Sequence, residues 1–249
     1  MAVRIAGSTF DCREARPVAT FWAGLRGFDV ASWSDEEGAL IEDPAGREPW
    51  IGFARVPEAK AAKNRCHPDL TAEDFETEVA RAEGMRGRTL DVHREPFWDW
   101  NVMVDPEGNE FCLGRPLEAG AIGGWAFDCA DDARAAARFW AQMLGFDERE
   151  GSPEGVLLVE RVEGTDPWHW IWLARVPEPK AAKNRFHLDL ETDELDAEIG
   201  RVERLGGRTL AVHRERSWDW NAMTDPEGNE FCLGRTRSAA PDPPGRDAR

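Results

Sequence analysis

The chain contains no tyrosine, although it carries 12 Trp and 12 Phe, so its aromatic surface is built from indole and phenyl rings alone. It has no Cys-x-x-Cys pair. Five isolated cysteines (Cys12, Cys66, Cys112, Cys129, Cys232) make an odd set that fits a reducing compartment better than a disulfide framework, so no disulfides are expected. No stretch approaches the roughly 18 apolar residues of a membrane span, and the first residues lack the apolar core of a signal peptide. The expectation is a soluble, cytoplasmic protein. Basic residues are the minority, 31 Lys and Arg against 48 Asp and Glu for a net charge of −17, which argues against nucleic acid or an anionic membrane as partner.

What the sequence does have is a duplication. Asp105-Pro-Glu-Gly-Asn-Glu-Phe-Cys-Leu-Gly114 returns as Asp225-Pro-Glu-Gly-Asn-Glu-Phe-Cys-Leu-Gly234, and His67 returns as His187, at a constant offset of 120. About two-thirds of positions are identical from Arg55 to Arg115 and their counterparts. With 249 residues this predicts two domains, residues 1–117 and 118–236, each large enough for a core, joined by a linker over residues 116–124. The Pro- and Arg-rich residues 237–249 read as a disordered tail.

Within each copy the pattern predicts a strand, a helix and three strands, twice over. Residues 5–12 alternate as a strand, and residues 17–25 form a helix with Pro17 in its first turn and Gly27 as its stop. The second copy repeats this with a strand over 125–129 and a helix over 131–144, where Ala136, Phe139 and Met143 share a face before Gly145. Short alternating segments follow at 30–33, 39–42 and 50–56, then at 156–162 and 168–176. The second half of each copy runs strand (67–70), helix (72–85) and three more strands. Asp-Pro-Glu-Gly-Asn reads as a tight turn, with its Gly free to take φ > 0, ahead of the last of these. In the second copy's helix, Leu195, Ile199, Val202 and Leu205 form the apolar stripe.

This order, together with Val-Pro-Glu-(Ala/Pro)-Lys-x-x-Lys-Asn-Arg-x-His-x-Asp-Leu leading into Asp-Pro-Glu-Gly-Asn-Glu-Phe-Cys-Leu, resembles the glyoxalase-like domains of the vicinal oxygen chelate (VOC) superfamily, which also holds bleomycin-resistance proteins and dioxygenases. The resemblance implies an α+β fold of two tandem VOC domains, each of two βαβββ modules curled into an open cup with helices outside, and two copies that pair within the chain. It also implies a small-molecule ligand or substrate, and in many members a divalent ion such as Zn, Fe, Mn or Ni held by the first and last strands of a module.

Strand alternation then sorts the side chains. In Arg185-Phe-His-Leu-Asp-Leu190 the apolar residues face the helix, leaving His187 and Asp189 in the cup; Glu230 and Cys232 share that side. His67 with Glu110, and His187 with Glu230, are the candidate metal ligands, and an imidazole with a carboxylate suits a divalent ion. Glu110 and Glu230 are also the candidate catalytic groups, as general bases. The family's other two ligand positions fall on Thr9 and Gly52 in the first copy and on Ala126 and Trp172 in the second, none of them a usual ligand. His93 and His213 are candidate third ligands, with Leu210 and Val212 expected against the helix. Trp50, Trp98, Trp100, Trp168, Trp170, Trp172, Trp218 and Trp220 are the candidate ligand-binding residues, because indole faces stack on planar rings and cations. Lys60, Lys63 and Arg65, with Lys180, Lys183 and Arg185, can form an anion clamp. Two functions follow: a protein that binds a planar aromatic or cationic molecule in a Trp-lined cup, or a metal-dependent lyase, isomerase or dioxygenase.

Overall fold

The computed structural model describes residues 3–94, 99–116, 121–149, 151–162, 168–214 and 218–236. Four βαβββ modules follow one another. The first is β1 (Arg4–Cys12), α1 (Ala15–Arg26), β2 (Asp29–Ser34), β3 (Gly38–Glu42) and β4 (Trp50–Arg55). The second is β5 (Cys66–Thr71), α2 (Phe75–Gly84), β6 (Arg88–Arg94), β7 (Asp99–Val104) and β8 (Glu110–Gly114). The third is β9 (Ala121–Cys129), α3 (Ala133–Leu144), β10 (Asp147–Glu148), β11 (Gly155–Val159) and β12 (Trp168–Arg175). The fourth is β13 (Phe186–Glu191), α4 (Leu195–Arg204), β14 (Arg208–Arg214), β15 (Trp218–Thr224) and β16 (Glu230–Thr236).

Local chemistry explains these boundaries. Gly27 (φ 67°) and Gly145 (φ 74°) end α1 and α3 in the left-handed conformation that glycine adopts without a Cβ penalty. Asp132 and Asp74 cap α3 and α2, each accepting backbone N–H bonds from the first turn. The expected linker is shorter than the sequence suggests. Residues 121–124 already belong to β9, where Gly123 and Gly124 pair with Leu70 and Asp69 of β5. The tail at 237–249 lies outside the described residues.

The modules assemble into two open, eight-stranded sheets, ordered β14-β15-β16-β13-β1-β4-β3-β2 and β10-β11-β12-β9-β5-β8-β7-β6. The first joins module one to module four through antiparallel β1 and β13; the second joins modules two and three through β5 and β9. Each cup therefore takes one module from each copy.

One face of both sheets packs on the helices in a single core that includes Phe10, Phe53, Phe111, Phe127, Phe186 and Phe231 with Trp22 and Trp140. Each such ring, fully buried, contributes roughly 1.5–3 kcal/mol. The Asp-Pro-Glu-Gly-Asn turns lock this core. Asp105 accepts the backbone N–H of Glu107 and Asn109 on Oδ1 and the Trp22 indole N–H on Oδ2; Asp225 does the same with Glu227, Asn229 and Trp140. Burial pushes the Asp225 carboxyl up to about 6, against the pull of those donors. The turns also reach across modules. Glu107 accepts from the N–H groups of Arg13 and Glu14 before α1, and Glu227 from those of Ala130, Asp131 and Asp132 before α3.

Two residues expected against a helix are not. Leu210 and Val212 are each 57 % exposed, as are Leu90 (51 %) and Val92 (52 %) in the matching strand. Both pairs sit on strands at a sheet edge, β14 and β6, each with a register irregularity beside the Leu.

Candidate functional site

The concave faces are defined by what the helix-side core excludes. In β13 and β16, Phe186, Leu188, Leu190, Phe231 and Leu233 are core residues, so His187, Asp189, Glu230 and Cys232 take the other side. In β5 and β8 the same rule turns His67, Asp69, Glu110 and Cys112 into the second cup. The joints decide which residues meet. His187 lies opposite Thr9 and Asp189 opposite Gly7, whereas His67 lies opposite Ala126 and Asp69 opposite Gly124. Thr9 and Gly52 thus share a cup with the second copy's His187 and Glu230, and Ala126 and Trp172 with the first copy's His67 and Glu110. Grouping the positions copy by copy gave the wrong partners, because the sheets form between copies.

At the centre of each cup stands a His, Asp and Cys group: His67, Asp69 and Cys112, and His187, Asp189 and Cys232, with one ligand atom from each residue lying within 4.8 Å of the others. His67 Nε2 is 3.4 Å from Cys112 Sγ and 3.3 Å from Asp69 Oδ1. His187 Nε2 is 3.6 Å from Asp189 Oδ1, and the Thr9 hydroxyl donates to Asp189 Oδ2 at 2.7 Å. Asp69 Oδ1 is buried without a hydrogen-bond partner, as are Nδ1 of His67 and of His187. Burial, then the neighbouring aspartate, pushes the Cys112 and Cys232 thiols well above the usual cysteine range, so neither is a nucleophile at neutral pH.

The donor set fits a divalent ion. An imidazole nitrogen, a carboxylate oxygen and a sulfur are zinc's ordinary ligands, three of them with an open fourth position is a common catalytic arrangement, and a buried orphan oxygen calls for a positive partner.

Glu110 and Glu230 stand apart from these groups. Glu110 accepts from the Lys60 ammonium on Oε1 (2.8 Å) and from the Asn64 backbone N–H on Oε2 (3.1 Å); Glu230 repeats this with Lys180 (2.7 Å) and Asn184 (3.1 Å). Both oxygens of each carboxylate are therefore occupied. The cations expected to clamp an anion pair with the protein's own carboxylates and backbone oxygens instead. Lys63 pairs with Asp128 at 2.7 Å and Lys183 with Asp11, while Arg65 and Arg185 donate to the backbone oxygens of Glu178 and Glu58 in the opposite copy. The sequence signal for the Lys60 pairing is its repetition, with Lys and Glu 50 residues apart in both copies.

The tryptophans line the cups unevenly. Trp168 and Trp170 are buried with Val159 in a small apolar cluster away from the helix-side core, and Trp172 packs against it. Glycines seat the rings. A Cβ on Gly7 would lie 2.2 Å from the Trp50 ring, one on Gly124 2.6 Å from Trp170, one on Gly155 2.7 Å from Trp172 and one on Gly234 2.6 Å from Trp218. Each indole therefore lies close over the backbone of a neighbouring strand. Trp50, Trp100, Trp172, Trp218 and Trp220 remain partly exposed. His93 stacks on Trp100 (4.4 Å between centroids, 8°) and His213 on Trp220 (3.8 Å, 9°), which gives these histidines aromatic partners near the cup edge. Trp98 lies outside the described residues. A separate cavity of about 370 Å³, lined by Arg4, Arg47, Trp125, Glu160 and His169 among others, opens on the helix side rather than in a cup.

None of the described helices is long and apolar enough to cross a membrane. No curated protein sequence matches the chain. Among solved structures, glyoxalase I from Zea mays is similar at a TM-score of 0.65 with 12 % identity, covering 94 % of this chain and 92 % of that one. Its V278E mutant gives 0.67 with 14 % identity over 94 % and 92 %. A putative dioxygenase from Bacillus subtilis gives 0.65 with 12 % identity over 94 % and 85 %. At such identities the likeness is one of fold. The family described as Glyoxalase-like domain matches residues 8–114 and again 125–234. The chain belongs to the glyoxalase-like domain family of the VOC superfamily and carries the domain twice.

Proposed function

We propose that the protein binds a small, planar aromatic or cationic organic molecule in its cups, on the indole faces of Trp50, Trp218 and Trp220 in one and of Trp100 and Trp172 in the other. The observation that carries this reading is the seating of Trp50 over Gly7 and Gly52, where ring atoms come within 2.2 Å and 3.3 Å of the positions a Cβ would take. A ring held flat against backbone loses little freedom when a ligand stacks on its open face, so the cost of ordering is already met. Asp69 and Asp189 supply negative charge nearby, which favours a cation over an anion. Glu110 and Glu230 support the binder rather than a base-catalysed reaction, since both are held in ion pairs.

A second reading, a metal-dependent lyase, isomerase or dioxygenase, draws on the His, Asp and Cys groups. A divalent ion held there would supply Lewis-acid polarisation of a carbonyl or enediolate oxygen. The chain's own part is then to orient the substrate ring on the indoles and to exclude water with the Trp168 and Trp170 cluster. Titration with the planar cation proflavine, read by tryptophan quenching and calorimetry alongside a neutral ring compound of equal size, tests the first reading. Saturable binding without turnover supports it, and absence of saturable quenching contradicts it.

A further inference from the structure

We infer that the helix-side cavity between the two copies is a second ligand site, and that it takes a small organic acid, a carboxylate carried on an apolar ring or chain. The inference does not rest on aromatic binding in the cups and stands or falls separately from it.

Two unlike walls carry it. The cavity, about 370 Å³, falls within the roughly 300–1,000 Å³ of small-molecule sites, which favour interfaces between domains. The first copy supplies Arg4 from the start of β1 with Arg47 and Glu48 from the loop before β4; the second supplies Trp125 of β9 with Leu144 and Phe146 at the end of α3. Duplication alone would make these walls alike. They differ because the repeat breaks here. Arg26 and Leu144 each precede the glycine that ends their helix, Gly27 and Gly145. Ser8 and Trp125 each follow the glycine that seats an indole, and Pro49 and His169 each precede that indole. One wall is charged and the other apolar, which suits an amphipathic molecule.

The unspent donors decide the sign of its charge. Glu160 is committed to His169, accepting its backbone N–H at 3.0 Å and lying 2.9 Å from its Nδ1, and that imidazole stacks on Trp125 (5.3 Å between centroids, 24°). Glu48 is committed to Arg26. The arginines have more to give. Among the described residues Arg4 donates one side-chain N–H to Glu191, Arg47 one to Asp43 and Arg26 one to Glu48, so most of each guanidinium's N–H groups are unspent. Arg26 is the sheltered one, its side chain 14 % exposed against 70 % for Arg4 and 76 % for Arg47. It lines a narrower inner recess of about 50 Å³ that shares Glu48, Pro49, Trp125 and His169 with the outer cavity. Burial pulls its guanidinium down to about 10, so a second carboxylate beside it relieves a poorly compensated charge. Arg4 and Arg47 at the rim then draw the acid in, Arg26 holds its head, and Trp125, Leu144 and Phe146 cover its body.

The test is calorimetric titration of the full chain with 4-cyclohexylbutanoate, which has no planar ring to stack in a cup, alongside its neutral amide. One molecule of the acid per chain is expected, with the amide at least about 10-fold weaker. Arg4→Gln with Arg47→Gln, both at exposed positions where folding is not at stake, should weaken the acid about 3- to 10-fold. Arg26→Gln with Glu48→Gln, which removes both members of the buried pair, should weaken it about 10- to 100-fold. The Trp125 indole N–H resonance should shift on saturation while that of Trp50 stays in place. Trp50→Leu with Trp172→Leu should bind the acid as the wild type does, which separates this site from the cups. Absence of binding, equal binding of acid and amide, unchanged affinity in the folded Arg4 and Arg47 variant, or a shift at Trp50 in place of Trp125 would each overturn the assignment.

Discussion

The ammonium of Lys60 lies 2.8 Å from Oε1 of Glu110, with both side chains largely removed from solvent, and Lys180 stands 2.7 Å from Glu230 in the matching position. Each carboxylate is part of the anchorage of the loop that carries its lysine. Breaking such a pair from one side strands a charge. Lys60→Met should therefore destabilise the protein by about 3–5 kcal/mol, and adding Glu110→Gln should recover much of the loss. Urea unfolding of the single and double variants measures this; additive losses would mean that the two side chains do not interact.

Glu107 does for α1 what that helix's own N-cap residue does not. Glu14 makes no side-chain cap bond, and the Glu107 carboxylate accepts the N–H groups of Arg13 and Glu14 from the next module. Glu107→Ala should cost about 1–2 kcal/mol, and Glu107→Gln somewhat less, by thermal or urea unfolding. Amide exchange in the first turn of α1 should quicken while that of α4 stays unchanged.

Gly124 and Gly7 are needed for what they lack. On Gly124 a methyl group would meet the Trp170 carbonyl oxygen at 2.5 Å and its ring at 2.6 Å, and backbone cannot step aside as a side-chain end can. Gly124→Ala should lower stability by roughly 1–3 kcal/mol. At Gly7 the three nearest atoms all belong to the Trp50 ring. Gly7→Ala should thus cost less and shift tryptophan emission by displacing that indole, a difference that unfolding curves and fluorescence spectra of the two variants will show.

Asp225 gives a pH signature. Its carboxyl is raised from 3.8 to about 6 by burial, so between those values the folded protein holds a proton that the unfolded chain has released. The folded state binds more protons there, so this group's contribution to stability falls as pH rises from about 4 through 6 and is level above. The Trp140 indole N–H, which donates to Asp225 Oδ2 at 3.1 Å, reports it directly. Its proton resonance should titrate with a midpoint near 6; a midpoint below 4 would mean that the N–H donors outweigh burial.

Much of this architecture was legible because it is written in alternation and in glycine. Gly27 and Gly145 marked helix ends that the structure realises at positive φ. The apolar residues of Arg185-Phe-His-Leu-Asp-Leu190 fixed which side His187 and Asp189 face, since a strand's period of two leaves no choice once one face is core. Pairing between distant strands was less legible. Nothing local in Thr9 says that it will lie opposite His187 rather than beside His67, because the repeat makes both joints chemically reasonable. The partners of long flexible side chains were illegible for a related reason. Lys60 and Lys63 look like part of an anion clamp until folding brings Glu110 and Asp128 to them, and Leu210 and Val212 look like core until their strand is known to be a sheet edge.

Binding of a planar cation most directly tests the reading of the Trp-lined cups. Calorimetric titration of proflavine into the wild-type chain should give saturable binding, with affinity reduced about 5- to 30-fold by Trp50→Leu with Trp172→Leu, the range of a lost stacking contact of roughly 1–2 kcal/mol. Glu110→Gln with Glu230→Gln should bind as the wild type does. Equal binding by wild type and the folded Trp variant, or no heat with any planar cation, would contradict the account.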